Sequence, residues 1–186
     1  MNSKESVMKK YLFILTFVIL CAPLHAGLDE DLIQASEAGD FKKVKELVAK
    51  GANVNAKDKY GTTVLHNAVW SRRIKIVQLL LTNKANLHAK TKTGTTVLHI
   101  AAVRGNLEIL KLLITQGAVI NQKNNLGRTA LHYAVANSHL EIIKYLIIKG
   151  ADINAKNNAQ QTPLDLAKTE KVKRLLIKHG AKNGEK

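Results

Sequence analysis

Residues 94–126 read GTTVLHIAAVRGNLEILKLLITQGAVINQKNNL, a stretch that sets a histidine among apolar residues and a glycine soon after them. Its meaning comes from recurrence. The phrase returns at 61–93 as GTTVLHNAVWSRRIKIVQLLLTNKANLHAKTKT and at 127–159 as GRTALHYAVANSHLEIIKYLIIKGADINAKNNA, a period of 33 residues. A diverged copy occupies 28–60 and a shorter copy occupies 160–186, so five units account for the chain from Leu28 onward.

Within a unit, a short segment around the TxLH phrase is parted by a small-residue turn from a second apolar segment. In the latter, Leu107, Leu110, Leu113 and Ile114 follow helical spacing, so each unit is expected to hold two short helices. Gly117 and Gly150 follow the second helix, where glycine suits the left-handed position that ends it. An extended stretch such as ADINAKNNA (151–159) then leads through turn-forming residues to the next unit.

On these residues the chain resembles the ankyrin-repeat family, whose 33-residue unit is a β-turn and two antiparallel helices with a T-P-L-H phrase opening the first helix. The matching residues are Thr63, Leu65 and His66, then Thr96, Leu98 and His99, then Thr129, Leu131 and His132, and finally Thr162, Pro163 and Leu164. The proline occurs only at Pro163, being Val64, Val97 and Ala130 elsewhere, and Asp165 takes the place of the last histidine. Proline is favoured but not required in a first helical turn, so these departures lower stability without excluding the fold. The resemblance implies an all-α repeat solenoid of five ankyrin repeats, with paired antiparallel helices, β-turn loops and a domain over 27–186. It also implies that His66, His99 and His132 are buried hydrogen-bonding posts. A metal site would need these rings to converge, whereas equivalent positions in stacked units lie about 8–10 Å apart.

The columns of the alignment predict which sides of the units meet. Ile76, Ile109 and Ile142 share one column of the second helix, and Leu79, Leu112 and Tyr145 another, but the first unit has Lys43 and Glu46 there. Those columns are expected to face the preceding unit. Val44, Val77, Leu110 and Ile143 form a column that becomes Lys173 in the last unit and is expected to face the following one. Both ends therefore read as capped, as a solenoid requires, and the five repeats as a complete domain. Unit two departs from the pattern, with Arg72 where others have Gly39, Gly105 or Ser138, and Lys84 where they have Gly51, Gly117 and Gly150.

The family resemblance further implies a concave surface, built from turn tips and first helices, that holds partner proteins. Carried onto this chain, the exposed positions are Lys57, Lys59, Tyr60, Trp70 and Ser71; then Lys90, Lys92, Thr93, Val103 and Arg104; then Lys123, Asn125, Leu126, Arg128, Ala136 and Asn137. Trp, Tyr and Arg dominate binding hot spots, which singles out Trp70, Tyr60 and Arg104 as anchors. Lys57, Lys90, Lys123 and Lys156 form a column of cations along one edge, read either as solvated surface or as an attraction for an acidic partner.

Composition narrows the function further. Of the 186 residues 46% are hydrophobic but only 4% aromatic, so the core is built from aliphatic side chains and alanine. There is no glycine-rich phosphate loop, no metal-ligand cluster at useful spacing and no cysteine beyond Cys21, while Ser71 and Ser138 sit at repeat turns without a histidine–carboxylate pair. The expectation is a monomeric non-enzyme without cofactor or metal. Lys4, Lys9 and Lys10 precede the apolar run Tyr11 to Ala22, and Pro23 and Ala26 follow, the order of a secretory signal peptide over 1–26. Twelve residues of helix rise about 18 Å, too short for a hydrocarbon core of about 30 Å. Both Met1 and Met8 fit as the start, and an uncleaved anchor is the alternative, because Leu24 makes the cleavage site imperfect.

Loss of Lys4, Glu5, Lys9 and Lys10 takes the net charge from +15 to +13. The expected function is thus a protein-binding module of bacterial type, exported to the periplasm or secreted, with an unidentified partner that is acidic on the second of the two readings of the cation column. The alternative is a basic binder of an anionic polymer or membrane surface. Nucleic acid is disfavoured, because aromatics are not interleaved with the lysines.

Overall fold

The computed structural model describes residues 27–184, so the expected signal peptide over 1–26 lies outside the described residues. The chain is helical over 27–38 (α1), then over Phe41–Ala49 (α2), Val64–Trp70 (α3), Ile74–Thr82 (α4), Val97–Arg104 (α5), Leu107–Thr115 (α6), Ala130–Ala136 (α7) and Leu140–Ile148 (α8). A 3-10 turn, Leu164–Leu166, precedes α9 (Glu170–Lys178). Among the described residues the only β pairing outside helices is an isolated antiparallel bridge between Lys57 and Thr63.

Helices α3, α5 and α7 pack on one another in an inner row, α2, α4, α6 and α8 form an outer row, and each inner helix from α3 onward also packs on the outer helix of its own unit. The 3-10 turn continues the inner row against α7 and packs on α9. This is the all-α repeat solenoid that the resemblance to ankyrin repeats implies. Leu80, Leu113 and Leu146 are fully buried, as are Val77, Leu110 and Ile143 beside them. Each such side chain contributes about 1.5–3 kcal/mol of burial before conformational entropy is subtracted. Lys43, Glu46 and Lys173 are exposed while their column mates are buried or half-buried, as the alignment predicts.

The inner helices start the same way each time. Thr63, Thr96 and Thr129 are N-caps in extended conformation, each forming a capping box with the histidine three residues on. The Thr63 backbone N–H donates to His66 Nδ1 at 3.2 Å, and the Thr63 hydroxyl lies 2.7 Å from that nitrogen. An Nδ1 that accepts leaves the ring proton on Nε2. That proton is donated to the next unit, to Thr95 O from His66, to Arg128 O from His99 and to Gln161 O from His132, at 3.2, 3.0 and 3.2 Å. The polar side chain on the apolar face is therefore a post joining two repeats. In the last unit Asp165 Oδ2 accepts the Thr162 N–H at 2.7 Å, and in place of donating to a carbonyl it accepts the Gly184 N–H at 2.8 Å. A carboxylate fits there because the segment beyond presents a donor.

A second ladder runs along the turns that follow the outer helices. Asn55 Oδ1 accepts the Asn86 N–H at 2.6 Å, Asn121 Oδ1 accepts the Asp152 N–H at 2.8 Å, and Asn154 Oδ1 accepts the Lys182 N–H at 2.7 Å. Their amide nitrogens donate onward to Lys84 O, Gly150 O and Gly180 O. One rung is missing. His88 stands in this column, makes no such bond among the described residues, and borders a small void between units two and three with Val119 and Gln122. His88→Asn is expected to add up to two hydrogen bonds and raise the unfolding free energy by about 1–2 kcal/mol. The check is a urea midpoint that rises at unchanged slope; no rise would mean that the void cannot close around the amide.

Unit two is strained as its sequence implies. Arg72 and Lys84 hold φ of 58° and 64°, the left-handed region, at roughly 1 kcal/mol each relative to glycine. Helix α4 also starts without a side-chain cap, unlike α2, α6 and α9, which use Asp40, Asn106 and Thr169.

Candidate functional site

Hairpin tips and inner helices share the face that the family resemblance identifies as the concave one. Three of the four tips close on a single side chain that collects two backbone donors, while at the fourth Thr91 Oγ1 accepts the Thr95 N–H at 3.1 Å. Asp58 Oδ1 accepts the N–H groups of Tyr60 and Thr62, Asn124 Oδ1 those of Leu126 and Arg128, and Asn157 Oδ1 those of Ala159 and Gln161. Successive tips are joined directly, with Lys92 N–H donating to Tyr60 O, Asn125 N–H to Thr93 O and Asn158 N–H to Leu126 O at 2.9–3.0 Å. The tips therefore form a continuous, rigid edge.

Where this edge meets α3 and α5 there is an open recess of about 510 Å³. Tyr60 from the tip and Trp70 from the end of α3 form its walls at 61% and 50% exposure, and half-buried Ile100 from α5 contributes apolar surface between them. Arg104 Cζ lies 4.7 Å from the Trp70 ring centre and Lys59 Nζ 5.1 Å from that of Tyr60, so both aromatic walls carry a cation. The three residues singled out as anchors thus meet: Tyr60 and Trp70 line the recess, and Arg104 stacks on Trp70. Lys92 also lines it.

Other positions on the expected binding face have work inside the stack. Ser71 Oγ donates to Glu37 O at 2.8 Å, Lys123 Nζ to Lys156 O at 2.8 Å, and Asn125 Nδ2 to Lys92 O at 2.9 Å, each a link to a neighbouring unit. Asn137 Nδ2 donates to Tyr133 O at 2.9 Å, closing the end of α7. Arg128 is half-buried with its guanidinium 5.9 Å from the Tyr133 ring centre, and Val103 and Ala136 are half-buried. Lys57, Lys90 and Leu126 are exposed on the edge, and Thr93 joins a hydroxyl chain with Thr91 and Thr95. The cation column is thus part structural and part free surface.

Glu37, Asn67 and Ile100 also line the recess and were not among the expected contacts. The repeat itself carried the signal: Glu37 lies one period before Trp70, and Asn67, Ile100 and Tyr133 share a column on the inner helices.

Electrostatically, burial pushes the three post histidines below their ordinary pKa, His66 to about 4, despite the raising effect of the carbonyl each one meets. They are neutral at pH 7 and remain hydrogen-bonding posts. Among the described residues no group of His, Cys, Asp and Glu is arranged to hold a metal ion, and no helix is long and apolar enough to cross a membrane.

Family models for ankyrin repeats match the chain over residues 32–81, 83–157 and 121–186. A curated relative, the 2-5A-dependent ribonuclease of Mus musculus, is 48% identical over 52 residues, which are 27% of this chain and 7% of the ribonuclease. The chain therefore spans a small fraction of that relative, and the stretch shared is an ankyrin-repeat region. The family models cover the same units that the period, the threonine–histidine posts and the two rows of helices define, and the chain belongs to the ankyrin-repeat family.

Proposed function

We propose that this protein is a non-catalytic scaffold that holds a partner protein on its concave face, after export directed by residues 1–26 to the periplasm or the exterior. The observation that carries this is the recess between Tyr60 and Trp70, where two large rings stay half exposed on a rigid edge with Arg104 stacked against one of them. Such rings lose little conformational freedom on binding and bury much area, which is why they dominate interfaces. The experiment is capture of partners by the wild-type chain, by Trp70→Ala, and by a chain with Lys57, Lys90 and Lys123 changed to glutamine. A species retained by wild type and lost with Trp70→Ala supports the reading. Retention of every species by both variants would remove the concave face from the function.

The strongly basic charge favours one second reading, a binder of anionic polymer or lipid surface. Salt separates the two, because polyanion binding by counterion release weakens by about 0.9 log units per phosphate for each tenfold rise in salt on duplex DNA. Contact through Trp70 is far less salt-sensitive.

A further inference from the structure

We propose that the segment received by the concave face is an acidic peptide stretch carrying one bulky apolar side chain, which enters the recess between Tyr60 and Trp70. This rests on the scaffold reading above and specifies the chemistry of the partner. Three observations carry it.

The first is the recess, about 510 Å³ with Tyr60, Trp70 and Ile100 as its apolar lining, a volume suited to one large side chain and the backbone beside it. The second is the local imbalance of charge. Residues 59–107 contain eight lysines and arginines and no aspartate or glutamate. The third is the location of the ion pairs. Glu46–Lys50, Glu141–Lys144 and Glu170–Arg174 all lie on outer helices, whereas Lys59, Lys92 and Arg104 around the recess form no salt bridge among the described residues. Cations without carboxylate partners beside an exposed apolar recess are complementary to a ligand that brings both carboxylates and an apolar side chain. Glu37 is the single carboxylate lining the recess, and it lies towards unit one. It orients the ligand, whose acidic residues point away from it towards Lys92 and Arg104.

Trp70 is the chain's single tryptophan, so its fluorescence reads this recess directly. The probes are acetylated, amidated nonapeptides with a central Phe or Gly and with Glu, Gln or Lys in the flanking positions, titrated into the full chain. The Glu-flanked Phe peptide is expected to change the Trp70 emission saturably, about tenfold more tightly than its Gln-flanked counterpart, and the central Gly to lower affinity about tenfold again. Lys92→Gln combined with Arg104→Gln is expected to lower affinity about tenfold, and Glu37→Gln to raise it about twofold, with Lys111→Gln on the outer row as the unchanged control. Circular dichroism and urea midpoints keep loss of fold apart from loss of binding. Gln- or Lys-flanked peptides that bind as tightly as the Glu-flanked one would overturn the acidic partner while leaving the concave face in place. A change of Trp70 emission by oligo-dT tighter than by any peptide would overturn it in favour of a polyanion. If no peptide changes the emission the proposal fails, and the scaffold reading is then decided separately by partner capture.

Discussion

Replacing Gly127 with alanine is expected to lower the unfolding free energy by about 3 kcal/mol, whereas Gly117→Ala lowers it by only about 1 kcal/mol. Both residues hold positive φ, 71° and 96°, so an added Cβ brings backbone strain in either case. They differ in their surroundings. A Cβ on Gly117 would meet nothing within 4 Å, but one on Gly127 would lie 2.8 Å from the backbone nitrogen of Asn158 and collide with that residue's Oδ1. The Asn158 side chain could turn aside only by giving up its hydrogen bond to Asn125 O, and its backbone is held by a bond to Leu126 O. The alanine therefore separates two tips that the fold keeps in contact, and the loss falls on the junction between the tip that opens unit four and the tip that closes it. Urea unfolding of the two variants side by side is the measurement. Equal losses would show that strain at the residue, and not the neighbouring repeat, determines the need for glycine.

Acidification from pH 7 to 4.5 is expected to remove about 2 kcal/mol through His66 alone. Burial holds the folded His66 near pKa 4, against an ordinary value of 6.5. Below pH 6.5 the unfolded chain takes up a proton that the folded chain refuses, so stability fully present above 6.5 is lost progressively down to about pH 4. His99 and His132 are displaced in the same direction for the same leading reason, burial, and add to the loss. The sign follows from the geometry: a protonated ring has no acceptor at Nδ1 for the threonine N–H and hydroxyl, and it places charge in a buried site where the repulsion of Lys57 opposes the attraction of Asp58. Urea midpoints at pH 7, 5.5 and 4.5 test this against His66→Gln, which starts less stable at pH 7 and then falls less steeply. Parallel curves for the two chains would show that acid unfolding has another source.

Much of this was legible before any coordinates. A spacing of 33 residues located every unit, and helical spacing separated inner from outer segments. Lys84 and Arg72 in glycine columns announced the left-handed backbone that both adopt. Lys43, Glu46 and Lys173 marked the outward sides of the first and last units because a polar residue in an apolar column has lost its neighbour. Residue type and the family's exposed columns single out the aromatic anchors, but their meeting follows from neither. Trp70 and Arg104 are 34 positions apart, and they stack only because α3 and α5 lie side by side. Ser71, Lys123 and Asn125 look like free polar surface in a sequence, yet each reaches a carbonyl of an adjacent unit. The gap at His88 is visible as a substitution, but its consequence, an unlinked backbone beside a void, needs the register of the turns.

The sequence by itself determined the repeat, the two helices of units one to four, the aliphatic seam and the positions where backbone must turn left-handed, because these depend on residues close along the chain or on columns one period apart; in unit five the expected inner helix is shortened to the 3-10 turn Leu164–Leu166. Only the tertiary structure decided which polar side chains link repeats and which face solvent, why a given glycine tolerates no Cβ, and that Tyr60 and Trp70 line one recess with Arg104 stacked on Trp70. Those properties depend on distances between atoms of different units, and such distances are set by how the helices pack.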